Sequence, residues 1–171
     1  MRLIVSSVLI AAAITSSDAW SQTDTDLKAF ETRLNAAWTE GTEAAFGSLF
    51  YTEGADQGQI ESERRNWRDR KISNSSAKSI TVKTLYTKDK LPSKLPGGEA
   101  LYSELVKTLA GPSITVNGQS YQPNLEIAGI AEVVLNRWHE QGPLTLYLSV
   151  GYDSEKKLRF TLYKTSATTK G

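Results

Sequence analysis

The chain has no cysteine, and only one histidine and one methionine among its 171 residues. Without cysteine there can be no disulfide, no thiol nucleophile and no cysteine-linked lipid anchor. With His139 alone, a transition-metal site built from clustered imidazole and thiolate ligands is disfavoured. Charge of one sign is lacking too. Twenty Lys and Arg face nineteen Asp and Glu, a net charge of +1, so strong whole-protein attraction to nucleic acid or anionic lipid is not indicated. Neither G-x-x-x-x-G-K-[ST] nor G-x-G-x-x-G occurs, and there is no G-x-S-x-G elbow. The common phosphate-cradling loops and the α/β-hydrolase nucleophile are therefore missing, although a triad assembled only by geometry escapes that test. No cofactor is expected. No apolar run reaches the roughly 20 residues of a spanning helix.

What is present begins with a leader. Met1-Arg2 supplies a positive charge, and Leu3 to Ile14 are mostly apolar. Thr15 to Ser21 are mainly small and polar. That order is the pattern of a cleavable secretory signal peptide. Ser17-x-Ala19 and Ala19-x-Ser21 both fit the small-x-small rule, so cleavage is expected after Ala19 or Ser21. An uncleaved anchor is the rival reading, disfavoured by the short apolar run. The expected organisation is a signal peptide over 1–21, one domain over 22–165 and a polar tail over 166–171. The expected localisation is periplasmic or secreted, with no membrane insertion after cleavage. About 150 residues remain, enough for one domain to bury a core unaided. The absence of disulfides favours a bacterial envelope over a eukaryotic secretory route. Asn74-Ser75-Ser76 would be a glycan acceptor in a eukaryote and a polar loop in a bacterium.

Behind the leader the apolar residues keep helical time. Leu27, Phe30, Leu34 and Trp38 recur at steps of three and four after a cap at Asp24 or Thr25, and Gly41 stops the run. Thr42 caps a second, shorter helix carrying Phe46, Leu49 and Phe50. Asp56 with Gln59 has capping-box spacing for a third, on which Ile60, Arg64, Trp67 and Lys71 share a face. The period then drops to two: Ile80, Val82, Thr84 and Tyr86 alternate with Thr81, Lys83, Leu85 and Thr87, as in a strand. A lysine-bearing loop (Lys88, Lys90, Lys94) leads to a helical stripe of Leu101, Tyr102, Leu105, Val106 and Leu109, closed by Gly111-Pro112. A short strand over Ser113–Val116 with a turn at Asn117-Gly118 is expected next. Leu125 to Arg137 is β-rich. Leu144, Leu146, Leu148, Val150 and Tyr152, then Leu158, Phe160 and Leu162, mark the apolar faces of two long antiparallel strands. Helices first and strands last predict an α+β fold, with the N-terminal helices on one face of a curved antiparallel sheet, a cone-like roll.

The segment Leu34-Asn35-Ala36-Ala37-Trp38-Thr39-Glu40-Gly41-Thr42-Glu43-Ala44-Ala45-Phe46-Gly47-Ser48-Leu49-Phe50-Tyr51 resembles the helical opening of the nuclear transport factor 2-like superfamily. That superfamily includes polyketide-cyclase-like and ketosteroid-isomerase-like proteins. The resemblance implies a third helix and a bent sheet forming a cone, and extends as element order over most of the mature chain. Glu53-Gly54-Ala55-Asp56 leaves little room for the small hairpin that members place between helices two and three, and the 88–124 stretch is long for a strand-to-strand link. No motif here matches the catalytic Asp/His or Asp/Tyr arrangement, so no catalytic residue is carried over. A cystatin-like α+β roll is the structural competitor.

Candidate functional residues follow from composition and position. Tyr51, Trp67, Tyr86 and Tyr152 fall near element ends on faces expected to point inward, where they would line a pocket for a small apolar or aromatic molecule. Core filling is the alternative for all four. Tyr147 and Tyr163 fall on the other face, which is either solvated or a homodimer surface. His139 beside Glu140 is either a base oriented by a carboxylate or an exposed side chain at a strand end. Arg64, Arg68 and Lys71 are either an anion contact or a solvated face, on which Glu61–Arg65 and Arg65–Asp69 stand at ion-pair spacing. An enzymatic role would need a buried carboxylate such as Asp56 or Glu132. The reading favoured by these residues is a non-catalytic ligand-binding or accessory domain. A cofactor-free enzyme of the cyclase, isomerase or hydrolase type and a protein-interaction module are the alternatives.

Overall fold

The computed structural model describes residues 16–92, 98–111, 113–137 and 142–165, with side chains between Asp24 and Lys164. Helix α1 (Ser16–Glu40) buries the expected stripe of Leu27, Phe30, Leu34 and Trp38, joined by Ala37. Gly41 at φ 73° ends it, in the left-handed conformation that costs glycine least. Helix α1 lies across strand β1 (Ser79–Tyr86), an edge strand whose outward backbone groups need partners. Polar side chains of the helix supply them. Asn35 donates to the Ile80 carbonyl at 2.7 Å and accepts from the Ile80 N–H at 2.8 Å, and Glu31 accepts from the Val82 N–H at 2.8 Å. Trp38 Nε1 donates to the Ala77 carbonyl at 2.8 Å, so its buried indole is satisfied.

Thr42 caps the short helix α2 (Glu43–Gly47), and Asp56 caps α3 (Gln57–Ser73) by accepting from the Gln59 N–H at 3.1 Å. The capping box is only half closed. The Gln59 side chain accepts from the Tyr163 N–H at 3.0 Å, tying the start of α3 to a distant strand. Asn74, just past α3, is buried and donates to the Arg70 carbonyl at 2.8 Å. The loop at 74–76 therefore withholds the side chain that a glycan would need.

The larger sheet has strand order β1-β4-β5-β6, with β4 Gly129–Asn136, β5 Leu144–Tyr152 and β6 Leu158–Phe160, all antiparallel. The smaller has order β2-β3-β7, with β2 Ile114–Val116, β3 Gln119–Pro123 and β7 Tyr163–Thr165. Asn117 and Gly118 join β2 to β3 at φ 50° and 78°, the pair of positive values that a type I′ hairpin turn requires. The fold is α+β, with helices packed on a sheet. The final hairpin is shorter than its alternation implies. After Thr161, whose N–H still donates to the Ser149 carbonyl at 3.0 Å, the chain leaves the large sheet, and Tyr163 to Thr165 pair with β3 instead.

Alternation in β1 breaks at one point. Val82 pairs with Val133, and the next partner is Thr84 with Glu132. Lys83 is thus the extra residue of a β-bulge, which shifts every later side chain to the opposite face. Ile80, Val82 and Leu85 join the core beneath α1, while Tyr86 points the other way into a second cluster with Ile130, Leu105 and Leu109. Those leucines belong to helix α4 (Glu99–Ala110), which covers the second face of the sheet. Sequence reading placed Tyr86 on the inner face because a one-residue bulge leaves no mark in a Thr/Lys-rich strand.

The main core is organised around aromatic rings. Trp67 stacks on Phe46 at 5.7 Å and on Phe160 at 5.3 Å. Phe160 meets Phe30 edge-on at 5.0 Å and Phe50 at 5.5 Å. Each such pair adds about 0.5–1.5 kcal/mol beyond burial alone. Together they link α1, α2 and α3 to β6.

Candidate functional site

The structure does not gather Tyr51, Trp67, Tyr86 and Tyr152 into one cavity. Tyr51 is half-buried, and its hydroxyl donates to Glu53 at 2.5 Å. Trp67 is almost wholly inside the aromatic stack. Tyr86 is buried beneath α4 and donates to Glu132 Oε2 at 2.5 Å. Burial, then that carboxylate, raises the Tyr86 phenol far above its ordinary range. Tyr152 donates to Asp26 at 3.0 Å, and burial together with Asp26 pushes its phenol up to about 12.

The other candidates are also accounted for. Asp56 is exposed and spent on its helix cap. Glu132 is half-buried, bonded to Tyr86, on the α4 side of the sheet. Arg64 lies against Gly47, where a Cβ would collide with its guanidinium. Arg68 pairs with Glu43 at 2.5 Å and Asp69 at 2.8 Å, in place of the expected Glu61–Arg65 and Arg65–Asp69 pairs. Lys71 sits 4.9 Å over the Trp38 ring. Of this face Arg68 and Lys71 are engaged within the protein, while Arg64 Nε is buried without a hydrogen-bond partner among the described residues. Lys88 and Lys90 are exposed. Lys94, His139 and Glu140 lie outside the described residues. Among the described residues no group of three or more His, Cys, Asp or Glu could hold a metal. No described helix is long and apolar enough to cross a membrane.

Four surface clefts stand out among the described residues. One of about 550 Å³ lies between the α2–α3 loop and the β5–β6 hairpin. Its charges are mostly paired internally, Arg159 with Asp153 at 2.8 Å and Tyr51 with Glu53. One of about 430 Å³ lies at the C-terminal end of α4, and one of about 340 Å³ between α1 and the turn at Lys156-Lys157. Glu132 borders none of the four. The fourth, about 240 Å³, lies between α3 and the β5–β6 side of the sheet. Gln59, Glu63, Trp67 and Arg70 border it from the helix. They are spaced by four, four and three, one stripe of an α-helix. Tyr147, Ser149 and Tyr163 border it from the strands.

This smallest cleft brings an unpaired cation and an unpaired anion onto one wall. Arg70 is half-buried and lies 5.0 Å over the Trp67 ring, and its guanidinium makes no hydrogen bond or ion pair with another described residue. Burial lowers its pKa, against an opposing pull from Glu63. Glu63 is half-buried and likewise unbonded. The Tyr147 and Tyr163 hydroxyls have no partner among the described residues. Burial raises both phenols, helped by Glu132 at Tyr147 and by Glu104 at Tyr163. Of the four expected pocket residues only Trp67 borders this cleft. Arg70 was missed because arginine in a charged helix reads as solvated. Its spacing from Trp67, three residues along the same stripe, was the available signal. No protein-family model matches the chain, and no curated protein and no solved structure shows significant similarity to it.

Proposed function

We propose that the chain is an exported, non-catalytic binding domain of the cell envelope that holds a small molecule in the cleft between α3 and β5–β6. The observation that carries the binding reading is the placement of Arg70 and Glu63 together on one wall of the cleft beside Trp67, their charged groups without a hydrogen-bond or ion-pair partner among the described residues. Water can reach these half-exposed groups, and a ligand that replaces it with charge-assisted hydrogen bonds gains affinity and orientation. Export rests on the leader over 1–21. The resemblance of residues 34–51 to the nuclear transport factor 2-like opening is in keeping with a helix-covered sheet that hosts ligands, though fold alone does not assign function.

Thermal-shift screening of the purified chain against a metabolite library tests the binding reading. At least one compound should raise the melting temperature, and Arg70→Ala should abolish that shift. No shift from any compound, or an equal shift in Arg70→Ala, refutes it. Expression of the full chain in a bacterium tests export. The product should lie outside the cytoplasm with its N-terminus at Trp20 or Gln22, and an intact Met1 in the cytoplasm refutes it.

A further inference from the structure

Resting on that cleft, we infer that its ligand is a small zwitterion of the amino-acid type, with its carboxylate on Arg70, its ammonium on Glu63 and its apolar body against Leu148 and Phe50.

Both charged side chains rise from one helix stripe, seven residues apart, about 10 Å along the axis. They do not pair with each other, yet Glu63 is near enough to act electrostatically on Arg70. The space between them thus separates a donor fork and an acceptor. A lone carboxylate would bond Arg70 but face repulsion from Glu63. A lone amine would bond Glu63 but face repulsion from Arg70. A dipolar molecule meets an opposite charge at each end and adds no net charge to a half-buried site. Arginine suits the carboxylate through two parallel N–H donors. The Trp67 ring lies beneath the guanidinium, 5.0 Å away, and attracts it through its π face.

Size and lining narrow the body of the ligand. The volume, about 240 Å³, falls below the roughly 300–1,000 Å³ of pockets for drug-sized molecules. A single amino acid is the appropriate scale. Leu148 faces the same side of the sheet as Trp67, and Phe50, Phe160 and Leu162 add apolar lining. An aromatic or aliphatic side chain is therefore preferred over a charged one.

Calorimetric titration of the full chain with L-phenylalanine, 3-phenylpropionate and phenethylamine tests this. These probes share a ring and differ only in their charges. Phenylalanine should bind at least about tenfold more tightly than either singly charged analogue. Arg70→Gln should weaken phenylalanine and phenylpropionate about tenfold or more and leave phenethylamine no weaker. Glu63→Gln should weaken phenylalanine and phenethylamine and tighten phenylpropionate. Neither side chain bonds the rest of the described fold, so both variants should keep the wild-type circular dichroism spectrum. Arg70→Lys, which keeps the charge without the fork, should fall between wild type and Arg70→Gln. Phenylpropionate binding as tightly as phenylalanine, with Glu63→Gln without effect, overturns the zwitterion while leaving a binding cleft in place. Failure of all three probes, alongside a library compound whose shift depends on Arg70, also overturns the zwitterion alone. Failure of probes and library together removes the binding reading as well.

Discussion

Asn124 is the residue whose loss should be felt furthest. It is buried, and its side chain spans two parts of the chain. Nδ2 donates to the Tyr51 carbonyl at 2.6 Å and the Glu53 carbonyl at 3.0 Å, while Oδ1 accepts from the Leu162 N–H at 2.8 Å. Its backbone N–H adds a bond to the Leu162 carbonyl at 2.9 Å. Asn124→Ala deletes the three side-chain bonds and keeps the fourth. Leu162 is buried, so its N–H is stranded, at about 1–3 kcal/mol. Tyr51 is half-buried and Glu53 exposed, so water can reach those carbonyls, and each costs about 0.5–1 kcal/mol. The expected loss is about 3 kcal/mol, a large fraction of a typical domain's stability. Urea unfolding at pH 7, followed by tryptophan fluorescence, should show a lower midpoint at unchanged slope. Asn136→Ala, which removes exposed bonds to Ser79 and Thr81, should stay within about 0.5 kcal/mol of wild type. An Asn124→Ala variant equally close to wild type would refute the assignment of this clamp. Tyr163 follows Leu162 directly, so ligand binding in the cleft should weaken too.

Three other perturbations have worked signs. Gly151→Ala would place a Cβ into the Glu126 carbonyl oxygen and 2.8 Å from Leu125 Cγ; backbone must move, and a loss of about 3 kcal/mol in urea unfolding is expected. At acid pH the relevant groups are Asp153 and Glu31. Burial pushes both carboxyls up, but the Arg159 and Lys28 partners and backbone N–H groups outweigh it and hold both below their ordinary values. Their stabilisation is present above the unfolded carboxylate range, about pH 4, and is lost as pH falls through the lower folded values. Asp153→Asn should lower stability at pH 7 and flatten the urea-midpoint profile between pH 5 and 2. At alkaline pH the sign reverses for Tyr152, whose folded pKa stands at about 12, above about 10 when unfolded. Its contribution is complete below pH 10 and lost as pH rises toward 12, so Tyr152→Phe should flatten that limb, as read by circular dichroism.

Helices were the legible part of the sequence because their signals are local. Thr42, Asp56 and Gly41 act through bonds and backbone angles within four residues, and each stands where its chemistry requires. The two-sheet arrangement was not legible. Alternation continues through Thr161 and Tyr163, but a bulge or a change of sheet is decided by distant partners, here β3 and the Gln59 side chain. The cleft was hidden for a related reason. Tyrosines and a tryptophan announce themselves by type, whereas Arg70 and Glu63 matter only for what they fail to touch. That property belongs to the assembled surface.

The composition of β4 shows how far local reading could have gone. Gly-Ile-Ala-Glu-Val-Val-Leu-Asn has six apolar or small residues and one charge before its final Asn, and its side chains are buried on both faces. A run of that kind marks a strand covered on two sides rather than one. Something had to cover the second face, and α4 was the one amphipathic helix not already placed with the N-terminal group. Once α4 sits there, Tyr86 and Glu132 are removed from the face that α1 covers, and the sheet's outer surface is no longer free along β1 and β4. What remains open among the described residues is the β5 flank, where β6 pairs along Val150 to Tyr152 and no described strand lies beside Leu144 to Leu148. The cleft forms against that flank because α3 approaches it without closing it. The early end of β6 and the approach of α3 thus account together for the cleft's position.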